Sequence, residues 1–215
     1  MRILYSVETQ RGFMNLGEPM YAQGVEIIKP NLDKLNKYAL RKNYVRAGGL
    51  DVHFGTPEYA HREVELKVNN GPFPMHCKFK TDGALQIPET LIENAVIHPH
   101  YLDEHVDRNL LAEGIRRKAL LFEKQGYDIF TNPAIDVFMR EFEVEEAVVN
   151  GVLTDWCVKD AVLGMLARNV KVYLVTDAIY ALNATPNAGQ EALDLMARKG
   201  AKLVTTKQVL EDKLD

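Results

Sequence analysis

Apolar and polar positions follow one another along this chain in two distinct rhythms. Residues 3–7, 118–122, 147–152, 170–176 and 202–205 are short runs rich in Val, Ile and Leu, with the length of buried strands. Residues 25–40 instead place Ile27, Ile28, Leu32, Leu35 and Ala39 at helical spacing, and residues 155–167 and 188–198 predict two further helices, with a short polar helix at the C-terminal end. Strands separated by ten-to-fifteen-residue helices imply right-handed crossovers. The predicted fold is therefore a three-layer α/β/α sandwich with a mainly parallel central sheet, Rossmann-like in topology. From about Gly48 to His105 the rhythm breaks. This stretch is rich in Gly and Pro and carries all six histidines, and a long irregular segment inside a compact domain is usually functional or disordered.

Composition narrows the possibilities. The 215 residues include 47% hydrophobic and 26% charged side chains, ordinary for one globular domain spanning residues 1–215, with no internal repeat or linker. A net charge of -4 argues against a nucleic-acid partner, which calls for a basic face. Neither a signal peptide nor an apolar run of membrane-spanning length is visible, so a cytoplasmic protein without a membrane partner is expected. The two cysteines, Cys77 and Cys157, are then read as reduced thiols rather than a disulfide framework.

Four groups of residues bear chemistry. Cys157 follows the run at 147–152 and opens a predicted helix, where the helix dipole and unpaired N–H groups favour a thiolate and offer an oxyanion site; the competing reading is a buried structural cysteine. Lys124 closes the run before it, either as a solvated charge or as an ammonium that lowers a nearby thiol's pKa. Glu8 ends the first strand, either as a salt-bridge partner or as a general base. Three predicted strands, expected to be neighbours, thus each end in a reactive group. Asp51 and His53 share one face of an extended backbone, and a more distant histidine completes a three-ligand site suited to Zn²⁺, Fe²⁺ or Mn²⁺. His98, His100 and His105 are expected to face solvent, as His61 can.

In this order the residues resemble the isochorismatase-like cysteine hydrolases, and their nicotinamidase branch in particular. Residues 151–158, Gly-Val-Leu-Thr-Asp-Trp-Cys-Val, are similar to the family's nucleophile turn, and residues 172–178 to the strand and Asp-Ala that follow. Lys124 with Tyr127 to Phe130 resembles the catalytic-lysine segment, and residues 7–14 the first-strand motif that carries the acid. Residues 71–77, Gly-Pro-Phe-Pro-Met-His-Cys, resemble that branch's metal-loop signature.

The resemblance implies an acid–lysine–cysteine triad of Glu8, Lys124 and Cys157 that cleaves a small carboxamide through a thioester and releases ammonia. It further implies a cis peptide at Val152–Leu153 beside the oxyanion site, and Phe13, Phe73 and Trp156 as apolar substrate walls. A divalent metal, zinc above all, is implied on Asp51, His53 and His76, holding the pyridine nitrogen. A homo-oligomer is plausible on the same ground. Three departures stand out. Glu8 replaces the usual aspartate, Val52 replaces an aromatic residue, and the 23 positions from His53 to His76 suggest a loop insertion around residues 59–70. Other readings are a carbamoyl or ureido amidase, an enol-ether hydrolase, a binding homologue without turnover because of Glu8, and a redox-sensing thiol protein.

Overall fold

The computed structural model describes residues 1–100 and 105–214. In chain order the regular elements are β1 (Arg2–Val7), α1 (Arg11–Met14), α2 (Lys29–Arg41), β2 (Val45–Asp51), β3 (Val96–His98), α3 (Arg108–Arg117), β4 (Ala119–Lys124), α4 (Pro133–Glu141) and β5 (Glu146–Val152). A π-helical turn (Thr154–Val158) then runs directly into α5 (Lys159–Ala167), followed by β6 (Lys171–Tyr180), α6 (Ala188–Arg198), β7 (Lys202–Val204) and α7 (Thr206–Leu210). The seven strands form one sheet in the order β3-β4-β2-β1-β5-β6-β7, and every pairing is parallel.

Alternate side chains of the central strands feed two separate cores, which is why those strands read as continuous apolar runs rather than as alternating ones. Ile3, Tyr5 and Val7 of β1 pack with Ala147, Val149, Val172 and Leu174 under α3, α4, α5 and α6. Leu4, Val148, Tyr173 and Val175 pack on the other side with Leu32 and Leu35 of α2 and Val209 of α7. Caps fix where helices begin. Asn132 accepts from Ala134 N–H ahead of Pro133, Asp107 accepts from Asn109 and Leu110 N–H, and Thr205 with Gln208 forms a capping box.

Several sequence expectations are corrected. The helix expected over 25–40 is split: Val25–Ile28 is a 3₁₀ turn and α2 starts at Lys29, because Pro30 lacks an N–H and suits only the first helical turn. Ile27, placed on the buried face by periodicity, is 75% exposed in consequence. The supposedly irregular stretch begins inside β2, a central strand whose paired glycines looked like a break. Gly48 is required there, since a Cβ would lie 2.6 Å from the Ser6 carbonyl oxygen. Within the same stretch Val96–His98 is a strand, and His98 and His100 are buried, whereas His105 is exposed as expected. Helices α3 and α4 had no counterpart in the sequence reading.

Candidate active site

Ligands in open parallel sheets bind beyond the carboxyl ends of the strands, where chain direction across the sheet reverses. Here that rim brings together residues from four strands. Glu8 follows β1, Asp51 ends β2, Lys124 ends β4, and Cys157 sits in the turn after β5. The strands bearing Glu8 and Lys124 are not neighbours, because β2 lies between them. Two strand spacings make roughly 10 Å, and the long lysine side chain spans that gap over the end of β2. Its Nζ lies 2.7 Å from Glu8 Oε1, 3.4 Å from Asp51 Oδ1 and 3.7 Å from Cys157 Sγ, and it donates to the Gly126 carbonyl. The contact with Glu8 is an ion pair rather than an aligned hydrogen bond.

Burial governs protonation in this cleft. Glu8 is fully buried, and its pKa is pushed up to about 7 by desolvation, with the Lys124 ammonium opposing the rise. The Cys157 thiol is raised well above its usual value, first by desolvation and then by the Glu8 charge, with Lys124 again pulling the other way. Burial thus opposes the thiolate that a helix start favours. Lys124 is held charged by Asp51, Cys157 and Glu8 against its own desolvation.

The backbone around Cys157 is shaped by Gly151, whose φ of +117° and close approach to β1 leave no room for a side chain; a Cβ would lie 2.1 Å from the Val7 carbonyl oxygen. The Val152–Leu153 peptide that follows is cis. The Leu153 carbonyl then accepts from Trp156 and Val158 N–H, closing the turn that presents Cys157.

Beside Glu8, Lys124 and Cys157 lies a second buried cluster. His53 Nε2 stands 3.1 Å from Asp51 Oδ2 and 2.9 Å from Glu65 Oε1, and His76 Nε2 stands 2.9 Å from the same Asp51 oxygen and 3.6 Å from Glu65 Oε1. One ligand atom from each of Asp51, His53, Glu65 and His76 falls within 4.8 Å of the others. The donor set fits a divalent cation. His76 Nδ1 donates to the Pro74 carbonyl at 2.8 Å, so in the neutral ring Nε2 is a lone pair facing carboxylate oxygens. Burial disfavours charge on His53, yet Asp51, Glu63 and Glu65 together raise its pKa to about 11. The cluster calls for positive charge at its centre, and a metal ion supplies it.

Backbone contacts explain how residues 23 positions apart meet. His53 N–H donates to Cys77 O, and Phe79 N–H to His53 O. Glu65 and Glu63 lie in the stretch read as an insertion, and periodicity offered no signal for either. Glu65 is held by Phe73 N–H donating to its carbonyl, next to Gly71, where a Cβ would lie 2.2 Å from the Glu65 carbonyl carbon. Glu63 accepts from Phe54 and Gly55 N–H behind His53, an outer partner of the kind that orients metal-binding imidazoles. Gln10 was also missed as a positioning group. Its amide pairs with both the N–H and the carbonyl of Asp51, at 2.7 and 2.8 Å.

Of the expected apolar walls, Phe73 and Trp156 meet edge to face at 5.1 Å, and Tyr127, not foreseen as a wall, packs against both. Phe13 lies behind the rim, its ring edge to face with His76 at 5.2 Å. Val52 is buried with Leu50 and Leu121 in a small separate core. Cys77 is buried too, its sulfur packed where a Gly12 Cβ would stand.

The sequence profile of the isochorismatase domain matches residues 75–208. The Escherichia coli K12 nicotinamidase is 36% identical over 72 residues, a segment covering 34% of this chain and 34% of that enzyme's length. The pyrazinamidase of Pyrococcus horikoshii, solved in complex with zinc, superposes with a TM-score of 0.72 at 21% identity, covering 95% of this chain and 98% of that one. A cysteine hydrolase from Pseudomonas syringae pv. phaseolicola gives 0.75 at 15% identity, covering 98% and 91%. At such identities the likeness to the two solved structures is one of fold.

Proposed function

We propose, from the premise that the chain belongs to the isochorismatase family, that it is a cysteine hydrolase of a small carboxamide such as nicotinamide. The observation that carries this reading is the position of the Lys124 ammonium, 2.7 Å from Glu8 and 3.7 Å from the Cys157 sulfur, all three buried at the rim of the sheet.

In this reading Glu8 takes the thiol proton as the sulfur attacks the amide carbonyl, and Lys124 keeps the carboxylate and the developing thiolate in one field. The extra methylene of Glu8, compared with aspartate, helps a carboxylate on β1 reach a lysine two strands away. Charge building on the carbonyl oxygen is met by backbone N–H groups at Leu153 and Cys157. Glu8 returns its proton to the leaving nitrogen, ammonia departs, and a thioester remains on Cys157. Water, deprotonated by Glu8, then splits the thioester to the carboxylic acid and free thiol. Asp51, His53, Glu65 and His76 would hold a divalent ion, zinc by likeness to the Pyrococcus structure, which supplies when bound a Lewis-acid anchor for a ring nitrogen. Phe73, Tyr127 and Trp156 would wall the ring and exclude water.

Ammonia release from nicotinamide by the zinc-loaded protein, compared with Cys157→Ala, tests the reading. Release by the wild type alone is the expected result. Equal release by both proteins, or none by either across a panel of small amides, would overturn it.

A further inference from the structure

Tyr5 is fully buried in the central strand β1, and its hydroxyl has no hydrogen-bond partner. Buried polar groups are almost always paired, so an idle phenol three residues before the candidate base calls for an explanation. Both carboxylate oxygens of Glu8 are buried as well, and neither has an aligned donor. An unmatched donor and an unmatched acceptor thus lie near one end of the same strand.

Strand register brings the two together. Tyr5 pairs with Ala47 of β2, yet its hydroxyl oxygen stands 3.3 Å from the point where a Gly49 Cβ would be. The phenol therefore runs along the sheet toward the rim, and its oxygen has advanced two residues, about 6.6 Å. Gly49 is level with Val7, the residue before Glu8, and its carbonyl accepts from the Glu8 N–H at 3.2 Å. The face of the sheet agrees too. Tyr5, Leu120, Phe122 and Cys157 belong to one core. Lys124 continues the alternation of Leu120 and Phe122, so its side chain rises on that face, and Glu8 Oε1 meets it at 2.7 Å. A φ of +46° at Glu8 breaks the alternation of β1, which would otherwise turn the carboxylate to the opposite face.

The other charged or titratable groups facing Glu8 are Lys124 from β4, Asp51 from β2 and Cys157 from the turn before α5. Tyr5 adds a donor that keeps its proton, since burial and then the Glu8 charge raise its pKa well above the phenolic value.

We propose that Tyr5 is a positioning residue for the base: its hydroxyl donates to the Glu8 carboxylate, directly or through one buried water, and holds it ionised toward the Cys157 thiol. This deepens the hydrolase reading and rests on it, and its test separates the two.

Zinc-loaded wild type and Tyr5→Phe are compared by ammonia release from nicotinamide as a function of pH. Carbon-13 NMR titration of the Glu8 carboxyl, assigned with Glu8→Gln, follows the base without any need for turnover. Loss of a hydrogen bond to a charged group should move the Glu8 midpoint up by about one pH unit. The kcat/KM of Tyr5→Phe should then lie about tenfold below wild type on the acid limb and approach it at high pH, with the loss in kcat. Tm separates the roles again. Removing an idle buried hydroxyl raises it, whereas removing a donor to Glu8 lowers it above the Glu8 midpoint. Should Tyr5→Phe fail to fold, Tyr5→Met serves the same comparison.

An unmoved Glu8 midpoint, with kcat/KM unchanged or lowered equally at every pH, overturns the role of Tyr5 and leaves the hydrolase reading intact. A moved midpoint, where the wild type hydrolyses no amide at any pH, sinks the hydrolase reading and leaves the Tyr5–Glu8 hydrogen bond standing.

Discussion

Two buried charge clusters sit side by side at the sheet's rim and solve the same problem differently. In one, Glu8 and the Cys157 thiol share a cleft with Lys124, so the chain supplies its own cation. In the other, two carboxylates face two imidazoles, and beyond the share of Lys124 that Asp51 takes, the positive charge comes as protons or as a metal ion. Asp51 belongs to both, with Oδ1 toward Lys124 and Oδ2 toward the histidines. A covalently tethered cation is always present, whereas a bound ion depends on its supply. The first cluster is therefore fixed by folding and the second is set by metal availability.

The largest effect that can break this comparison is loss of the sulfur. Cys157→Ala should reduce amide hydrolysis on the order of 10⁴-fold or more while leaving metal binding unchanged, as read by ammonia release and by metal content. Lys124→Met comes next. It strands Glu8 and Asp51 without their counter-ion and should cost about 3–5 kcal/mol in denaturant unfolding; a change below 1 kcal/mol would mean that the ion pair is not formed. For the second cluster, zinc at a hundred times its Kd should stabilise the wild type by about 2.7 kcal/mol. Glu65→Ala should lose most of that gain in thermal unfolding while zinc-free stability falls less.

The smallest effect is on pH dependence. With Glu8 raised to about 7, kcat/KM should fall about tenfold per pH unit below that value, since only the carboxylate accepts the thiol proton. The linked stability runs the other way. A carboxyl with a raised folded-state pKa favours the native state most fully below the ordinary carboxylate range, and that contribution is lost as pH rises through about 7. An acid limb at the ordinary carboxylate value in the rate profile would remove Glu8 from the base role.

The parts of this molecule legible in its sequence are those where one physical rule acts locally. Strands β1, β5 and β6 are buried on both faces and read directly as apolar runs, and Lys124 and Cys157 stand at the ends of such runs or just past them. Strand β2 was obscured because it carries two glycines, normally breakers: Gly48 is demanded by the close approach of Ser6, and a Cβ at Gly49 would stand 3.3 Å from Ile129 and Tyr5. Glu65 was invisible for another reason: it lies in irregular chain, and only the backbone pairing of 65–67 with Phe73 turns it inward. The burial that opposes a Cys157 thiolate was not legible either, because the helix start is a local signal, whereas desolvation depends on everything packed around the sulfur.

That irregular chain has a kinetic corollary. Asp51 is anchored in the sheet, but His53, Glu65 and His76 ride on segments outside any named strand. Opening such segments costs less than global unfolding, so an ion can come and go while the seven-stranded core stays assembled. A chelator should then strip the protein at a rate set by this local opening, well ahead of any loss of its parallel framework.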